Sequence, residues 1–163
     1  MPLAIELFAP KDTDGMSVHK LIQSCPPLDT NSAYCNLLQC THFSDTSVAA
    51  VAEDQLVGFI SGYILPNRPN TLFIWQVAVS EQARGQGLAS SMVQHILQRE
   101  HCSAVQFIET TITESNAASW ALFEGVAKTL NAQLDRSVMF EKQAHFHGEH
   151  DSEMLVRIGP FGG

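Results

Sequence analysis

Apolar residues recur along this chain with two different periods, and the switches between them mark its elements. A short apolar stretch over 4–8 predicts an opening strand that Pro10 interrupts. Met16, Val18, Leu21 and Ile22 then fall at helical spacing. With Asp12 or Asp14 as cap they predict a helix reaching about residue 24, ended by Pro26 and Pro27. Tyr34, Leu37 and Leu38 predict a second helix, running from Asp29 or Thr30 to Gln39. The pattern changes at 47–52, which is apolar and β-rich. Glu53-Asp54-Gln55 reads as a hairpin loop, with a return strand over 56–65. Pro66 to Asn70 carries a strong loop signal, and 71–79 is a third strand of β-branched and aromatic residues. A helix is expected over 88–99, a strand over 105–110 and a helix from an Asn116 cap to about 130. Two closing strands, 138–142 and 154–158, flank a histidine-rich loop. This order predicts an α/β fold with one mixed central sheet flanked by helices, as a single domain over 1–163.

Composition narrows the class. Hydrophobic residues make up 45% of the 163 and charged residues 16%, enough for a packed core. No apolar run approaches the roughly 20 residues of a membrane span. The first residues lack a basic region followed by an apolar core, so a cytoplasmic address is expected, with no membrane partner. Cys25, Cys35, Cys40 and Cys102 form no C-x-x-C pair and are expected reduced, most of them as buried packing. The net charge of -8 disfavours nucleic acid and favours cationic small molecules.

The most informative segment is Gln82-Ala83-Arg84-Gly85-Gln86-Gly87-Leu88-Ala89, between a strand and an apolar helix. A glycine-rich turn at a helix start leaves backbone N–H groups free at the positive end of the helix dipole, which suits a pyrophosphate. Gly85 and Gly87 let the backbone approach the phosphates, and Arg84 adds a charge-assisted bond. A dinucleotide site of the G-x-G-x-x-G type is excluded by Ser90, and the G-x-x-x-x-G-K-[ST] pattern of nucleoside triphosphate sites is absent.

These residues resemble the Gcn5-related N-acetyltransferase superfamily. Its Q/R-x-x-G-x-G/A hallmark is matched by Gln82, Gly85 and Gly87, and its preceding strand by Trp75-Gln76-Val77-Ala78-Val79. The resemblance implies acetyl-coenzyme A as co-substrate. It also implies that backbone groups of Val77 and Val79 hold the pantetheine arm and the thioester carbonyl, with Asn116 and Ser119 near that arm. The segments 28–34, 73–79, 109–113 and 157–161 narrow the resemblance to the enzymes of that superfamily that acetylate diaminobutyrate. This implies transfer to the 4-amino group in ectoine synthesis, and a homodimer. One departure stands out: the position where many members carry a proton-donating tyrosine holds Phe123.

An alkyl ammonium has an unperturbed pKa of roughly 10.4, so the site must take its proton before it attacks. Candidate groups for that are Glu153, Glu109 (through water) and His150, and the Val77 N–H is the candidate oxyanion donor. Acidic and aromatic groups suit the diamine, so Asp29, Tyr34, Trp75 and Glu153 are the expected acceptor-binding residues. Each has a plainer role open to it: Asp29 as a helix cap, Tyr34 and Trp75 as core, Glu153 as a solvated loop residue. The tract from His145 to Glu153 has metal-ligand chemistry, but acetyl transfer from a thioester requires no metal, and none is expected. Two further readings remain: an acetyltransferase for another amine, and a coenzyme-binding regulatory module without turnover, which Phe123 keeps open.

Overall fold

The computed structural model describes residues 4–26 and 28–161; Pro27, invoked above as part of a helix stop, lies outside them. The elements follow in the order β1 (Glu6–Phe8), α1 (Gly15–Gln23), α2 (Ala33–His42), β2 (Val48–Ala52), β3 (Gln55–Leu65), β4 (Arg68–Val79), α3 (Leu88–Leu97), β5 (Phe107–Thr113), α4 (Ala117–Thr129), β6 (Leu134–Phe140) and β7 (Glu153–Ile158). The strands form one mixed sheet in the order β1-β2-β3-β4-β5-β7-β6.

Several boundaries differ from the sequence pattern: α3 ends at Leu97 and not near 99, and β5 lies at Phe107–Thr113 and not 105–110, because it pairs with β7 from Ile108↔Ile158 to Thr113↔Glu153. The second helix starts at Ala33, because Ser32 is extended and its hydroxyl accepts the Cys35 N–H. Asp29 is therefore not a cap. The loop expected over 66–70 shrinks to Pro66 and Asn67, because β4 starts at Arg68 and pairs back to Leu65. The last strands are longer than expected, since β6 and β7 run side by side from Leu134↔Ile158 to Phe140↔Glu153.

The sheet sorts its side chains by alternation. Ile60, Leu72, Ile74, Ile108 and Ile112 point to one face, where Met92, Val93 and Ile96 of α3 and Trp120, Phe123 and Val126 of α4 complete the main core. Phe59 and Ala78 point to the other face and meet Val18, Leu21 and Ile22 of α1.

The site is made by an interruption. β4 pairs in parallel with β5 only at Thr71–Phe73 against Phe107–Glu109. The Thr110 hydroxyl then donates to the Ile74 carbonyl at 2.9 Å, and beyond that point no pairing joins the two strands. In the same place β4 carries a bulge against β3, with Ser61 opposite Gln76 and Gly62 opposite Ile74, so Trp75 is the extra residue.

Candidate active site

The bulge resets which backbone groups face the gap. Before it, Asn70 and Ile74 turn their carbonyls toward β5, accepting from the Gln106 N–H and the Thr110 hydroxyl. After it, Gln76 donates its N–H to Ser61 Oγ and Ser80 donates to the Val57 carbonyl, both on the β3 side. Strand alternation therefore turns the backbone groups of Val77 and Val79 toward the side that β5 has left. The Val79 carbonyl accepts there from Arg84 Nε at 3.1 Å and from Cys25 Sγ.

A cleft of about 480 Å³ opens on this edge. Val77, Val79, Arg84, Gly85, Gly87, Leu88 and Ala89 line one wall, and Asn116 and Ser119 of α4 line the other. Gly85 and Gly87 hold φ of 76° and 72°, in the left-handed region that favours glycine. A Cβ added at either would meet nothing within 4 Å, so the turn shows bare backbone to the outside. Gly87 caps α3 without a side-chain bond, which leaves N–H groups of the first turn free for an anion. These features fit a pyrophosphate-bearing coenzyme. Gln82 and Gln86 do not line the cleft; Gln86 Nε2 instead donates to the Gln82 carbonyl across the turn.

A second cavity of about 760 Å³ continues from the first, sharing Leu28, Val77, Asn116 and Ser119 with it. Asp29, Trp75, His150 and Glu153 line this cavity, with Thr111 and Phe123. Trp75 is 42% exposed and its ring stands edge-on to Tyr63, so it forms a wall and not core. Burial pushes the Glu153 carboxyl above the ordinary carboxylate range; the nearby His150 charge and a hydrogen bond from Thr111 pull the other way. His150 Nδ1 lies 2.6 Å from the Asp151 carbonyl. A carbonyl only accepts, so Nδ1 carries the hydrogen and Nε2 holds the lone pair of the neutral ring.

Two further expected residues, besides Gln82 and Gln86, fall elsewhere. Tyr34 is 69% exposed on α2 and lines neither cavity, so it is neither core nor part of this chain's pocket. Glu109 is 2% exposed and lines neither cavity. Arg68 donates to both of its oxygens at 2.8 and 3.0 Å, and Arg157 donates to Oε2 as well. Both carboxylate oxygens are taken up by guanidinium N–H groups away from the two cavities, so Glu109 is a clamp between β4, β5 and β7. The sequence pattern missed this triad. A glutamate in an otherwise apolar and threonine-rich strand signals that a partner is needed, but the partners lie 41 and 48 residues away.

The histidine tract folds into turns. His145 Nδ1 accepts the Glu141 N–H, and Phe146 stacks on His150 with ring centroids 4.5 Å apart. Among the described residues no group of three or more His, Cys, Asp or Glu side chains is placed to hold a metal ion.

A sheet that splays beside a glycine-rich anion turn, over a coenzyme-sized cleft, defines an acyl-coenzyme A-dependent acyltransferase. Residues 16–126 match the acetyltransferase (GNAT) family, and the chain belongs to that family. Within it, the chain is 59% identical over 157 residues to the L-2,4-diaminobutyric acid acetyltransferase of Methylotuvimicrobium alcaliphilum, covering 96% of this chain and 91% of that protein. The enzyme of the same name from Vibrio cholerae is 50% identical over 91% of this chain and 86% of its own. Among solved structures, the diaminobutyrate acetyltransferase EctA from Paenibacillus lautus, in complex with L-2,4-diaminobutyric acid and coenzyme A, superposes with a TM-score of 0.92 at 38% identity, covering 99% of this chain and 98% of that one. The ribosomal-protein-S18-alanine N-acetyltransferase of Escherichia coli shares the fold at a TM-score of 0.72 and 12% identity, over 98% of this chain and 96% of its own.

Proposed function

We propose that this chain transfers the acetyl group of acetyl-CoA to the 4-amino group of L-2,4-diaminobutyrate, giving 4-acetamido-2-aminobutanoate for ectoine synthesis. The observation that carries this reading is the junction of the two cavities at Val77. One side is an anion-ready turn; the other is an acidic pocket with an aromatic wall. The dense similarity to diaminobutyrate acetyltransferases supports the choice of acceptor.

Acetyl-CoA supplies the activated acyl group. The free N–H groups of the Gly85–Gly87 turn and the start of α3 hold its phosphates, with Arg84 beside them. Asp29 and Trp75 hold the diamine, the first by charge and the second as a cation–π surface. Glu153 takes the proton from the attacking nitrogen. Its raised pKa narrows the gap to the ammonium and makes it a better-matched base than an ordinary carboxylate. His150, with Nε2 unprotonated when neutral, supports that transfer. The Val77 N–H meets the carbonyl oxygen as it gains charge. Phe123 has no proton to give, and the N-terminus of α4 at Asn116–Ser119 favours the departing thiolate through its dipole.

The chain acts as one acetyltransferase domain over 1–163, in the cytoplasm and as a homodimer. Among the described residues no helix is long and apolar enough to cross a membrane. Exposed Val138, Met139 and Phe140 on the edge strand β6 are the apolar surface a second copy would cover. Light scattering after size exclusion tests the dimer.

The activity is tested by mixing the protein with acetyl-CoA and L-2,4-diaminobutyrate, following free thiol and locating the acetyl group by NMR. Thiol release that depends on the amine, with acetylation at the 4-nitrogen, is expected. Release with other amines only would discard the acceptor. Tight coenzyme binding with no release for any amine would indicate a regulatory module.

A further inference from the structure

The acceptor pocket has one wall with no regular structure. Residues 28–32 join α1 to α2 as irregular chain, yet Leu28, Asp29 and Asn31 all line the second cavity. A wall of loop backbone gives a well-defined pocket only if something fixes it to a rigid element. That element here is β4, and the contact is one side chain. Gln76 Oε1 accepts from Asn31 Nδ2 at 2.8 Å, and Gln76 Nε2 donates to the Asp29 carbonyl at 2.7 Å. Both ends of the amide are used, on two residues of the same loop. The Gln76 backbone is fixed in turn, since its N–H donates to Ser61 Oγ at 3.1 Å where the bulge breaks the ordinary ladder. The next residue is Val77, whose backbone faces the coenzyme cleft.

We infer that Gln76 is a positioning residue that pins the 28–32 loop to the coenzyme-binding strand and so sets where Asp29 meets the acceptor. Gln76 also lines the second cavity, but both ends of its amide are committed to the loop, so it acts through Asp29 and Asn31 and does not itself move a proton. One amide thereby ties the acceptor wall to the strand that presents the oxyanion donor. The register between the two substrates, and with it the choice between the two amines of a diamine, depends on this tether. The inference rests on the acetyl-transfer reading for its kinetic consequence, but the tether itself is a property of the free protein.

The test uses Gln76→Leu, which keeps the bulk and removes both bonds, and Asn31→Ala, which removes one bond from the loop side should the strand variant fold poorly. Two readouts are taken. Backbone hydrogen exchange at Leu28, whose N–H donates to the Cys25 carbonyl at 3.0 Å and closes the start of the loop, is expected to quicken about tenfold in ligand-free Gln76→Leu, because a loop freed of two ordinary hydrogen bonds opens that turn more often. In turnover with whichever amine the wild type acetylates, KM for the amine is expected to rise about tenfold with KM for acetyl-CoA unchanged. With diaminobutyrate, product acetylated at the 2-nitrogen should appear. Asn31→Ala should show the same pattern more weakly. Unchanged loop exchange in both variants would overturn the tether. Quickened exchange with an unchanged amine KM, or an equal rise in both KM values, would overturn the positioning role. If the wild type acetylates no diaminobutyrate, the proposed acceptor fails separately, and the exchange result still decides the tether.

Discussion

Replacing Glu109 by Gln separates a structural clamp from a catalytic base. The native carboxylate sits at 2% exposure and receives three guanidinium N–H groups, two from Arg68 and one from Arg157. Glutamine keeps one acceptor oxygen and turns an NH₂ group toward a cation. Breaking a fully buried pair would cost about 3–5 kcal/mol. The partners here are not fully buried: Arg68 is 48% and Arg157 29% exposed, so both recover some hydration. Arg157 also keeps its place over the Phe107 ring, 3.8 Å from the centroid. A loss of about 2–3 kcal/mol follows, which for a domain of this size lowers Tm by about 4–12 °C. Below that Tm, turnover should stay within about fivefold of wild type, far from the 10²–10⁴-fold that removal of a general base costs. Thermal unfolding and steady-state kinetics on the same preparation measure both. An unchanged Tm with a hundredfold drop in kcat would refute the clamp and return Glu109 to the chemistry.

Other outcomes follow from the same geometry. Glu153→Gln should lower kcat by about 10²–10⁴ with the fold intact. In the wild type, kcat/KM should fall as pH drops through the raised Glu153 pKa, above the ordinary carboxylate range. Because the folded state holds that proton more tightly than the unfolded chain, stability should decrease as pH rises between the ordinary and the raised value, and urea unfolding should show this slope flattened in Glu153→Gln. Gly87→Ala has room for its methyl but not the backbone freedom; it should cost about 1 kcal/mol and raise KM for acetyl-CoA about tenfold, read by calorimetry and kinetics. Thiol labelling of the native protein should be slow everywhere and start at half-buried Cys35, whose thiol is pushed up by burial and by the Asp29 charge. Cys40, pushed up to about 12, and buried Cys25 and Cys102 should react only on unfolding.

Local chemistry made much of this protein legible in one dimension. The glycine turn before α3, the Asn116 cap of α4 and the alternation of β3 to β5 depend on residues close in the chain, so spacing alone identifies them. The anion site is part of this group, because a helix N-terminus and two glycines in left-handed geometry are a contiguous feature. What spacing does not carry is which backbone groups the sheet leaves unpaired. The β4 bulge at Trp75 and the end of β4–β5 pairing after Phe73 decide that Val77 faces the gap, and both arise from pairing with other strands. The carboxylates show the same division. From the sequence Glu109 reads as a strand residue and Glu153 as the end of a polar loop, with either open as a base; the structure puts both on strands. Tertiary packing gives one of them two arginines from β4 and β7, and gives the other a cavity, a histidine and a threonine. Tyr34 and Asp29, a few residues apart, part in the same way: one faces solvent, while the other lines the pocket on a loop held by Gln76. A residue's kind is written in the chain, but the charge and water around it are set by neighbours tens of positions away, and those neighbours assign its work.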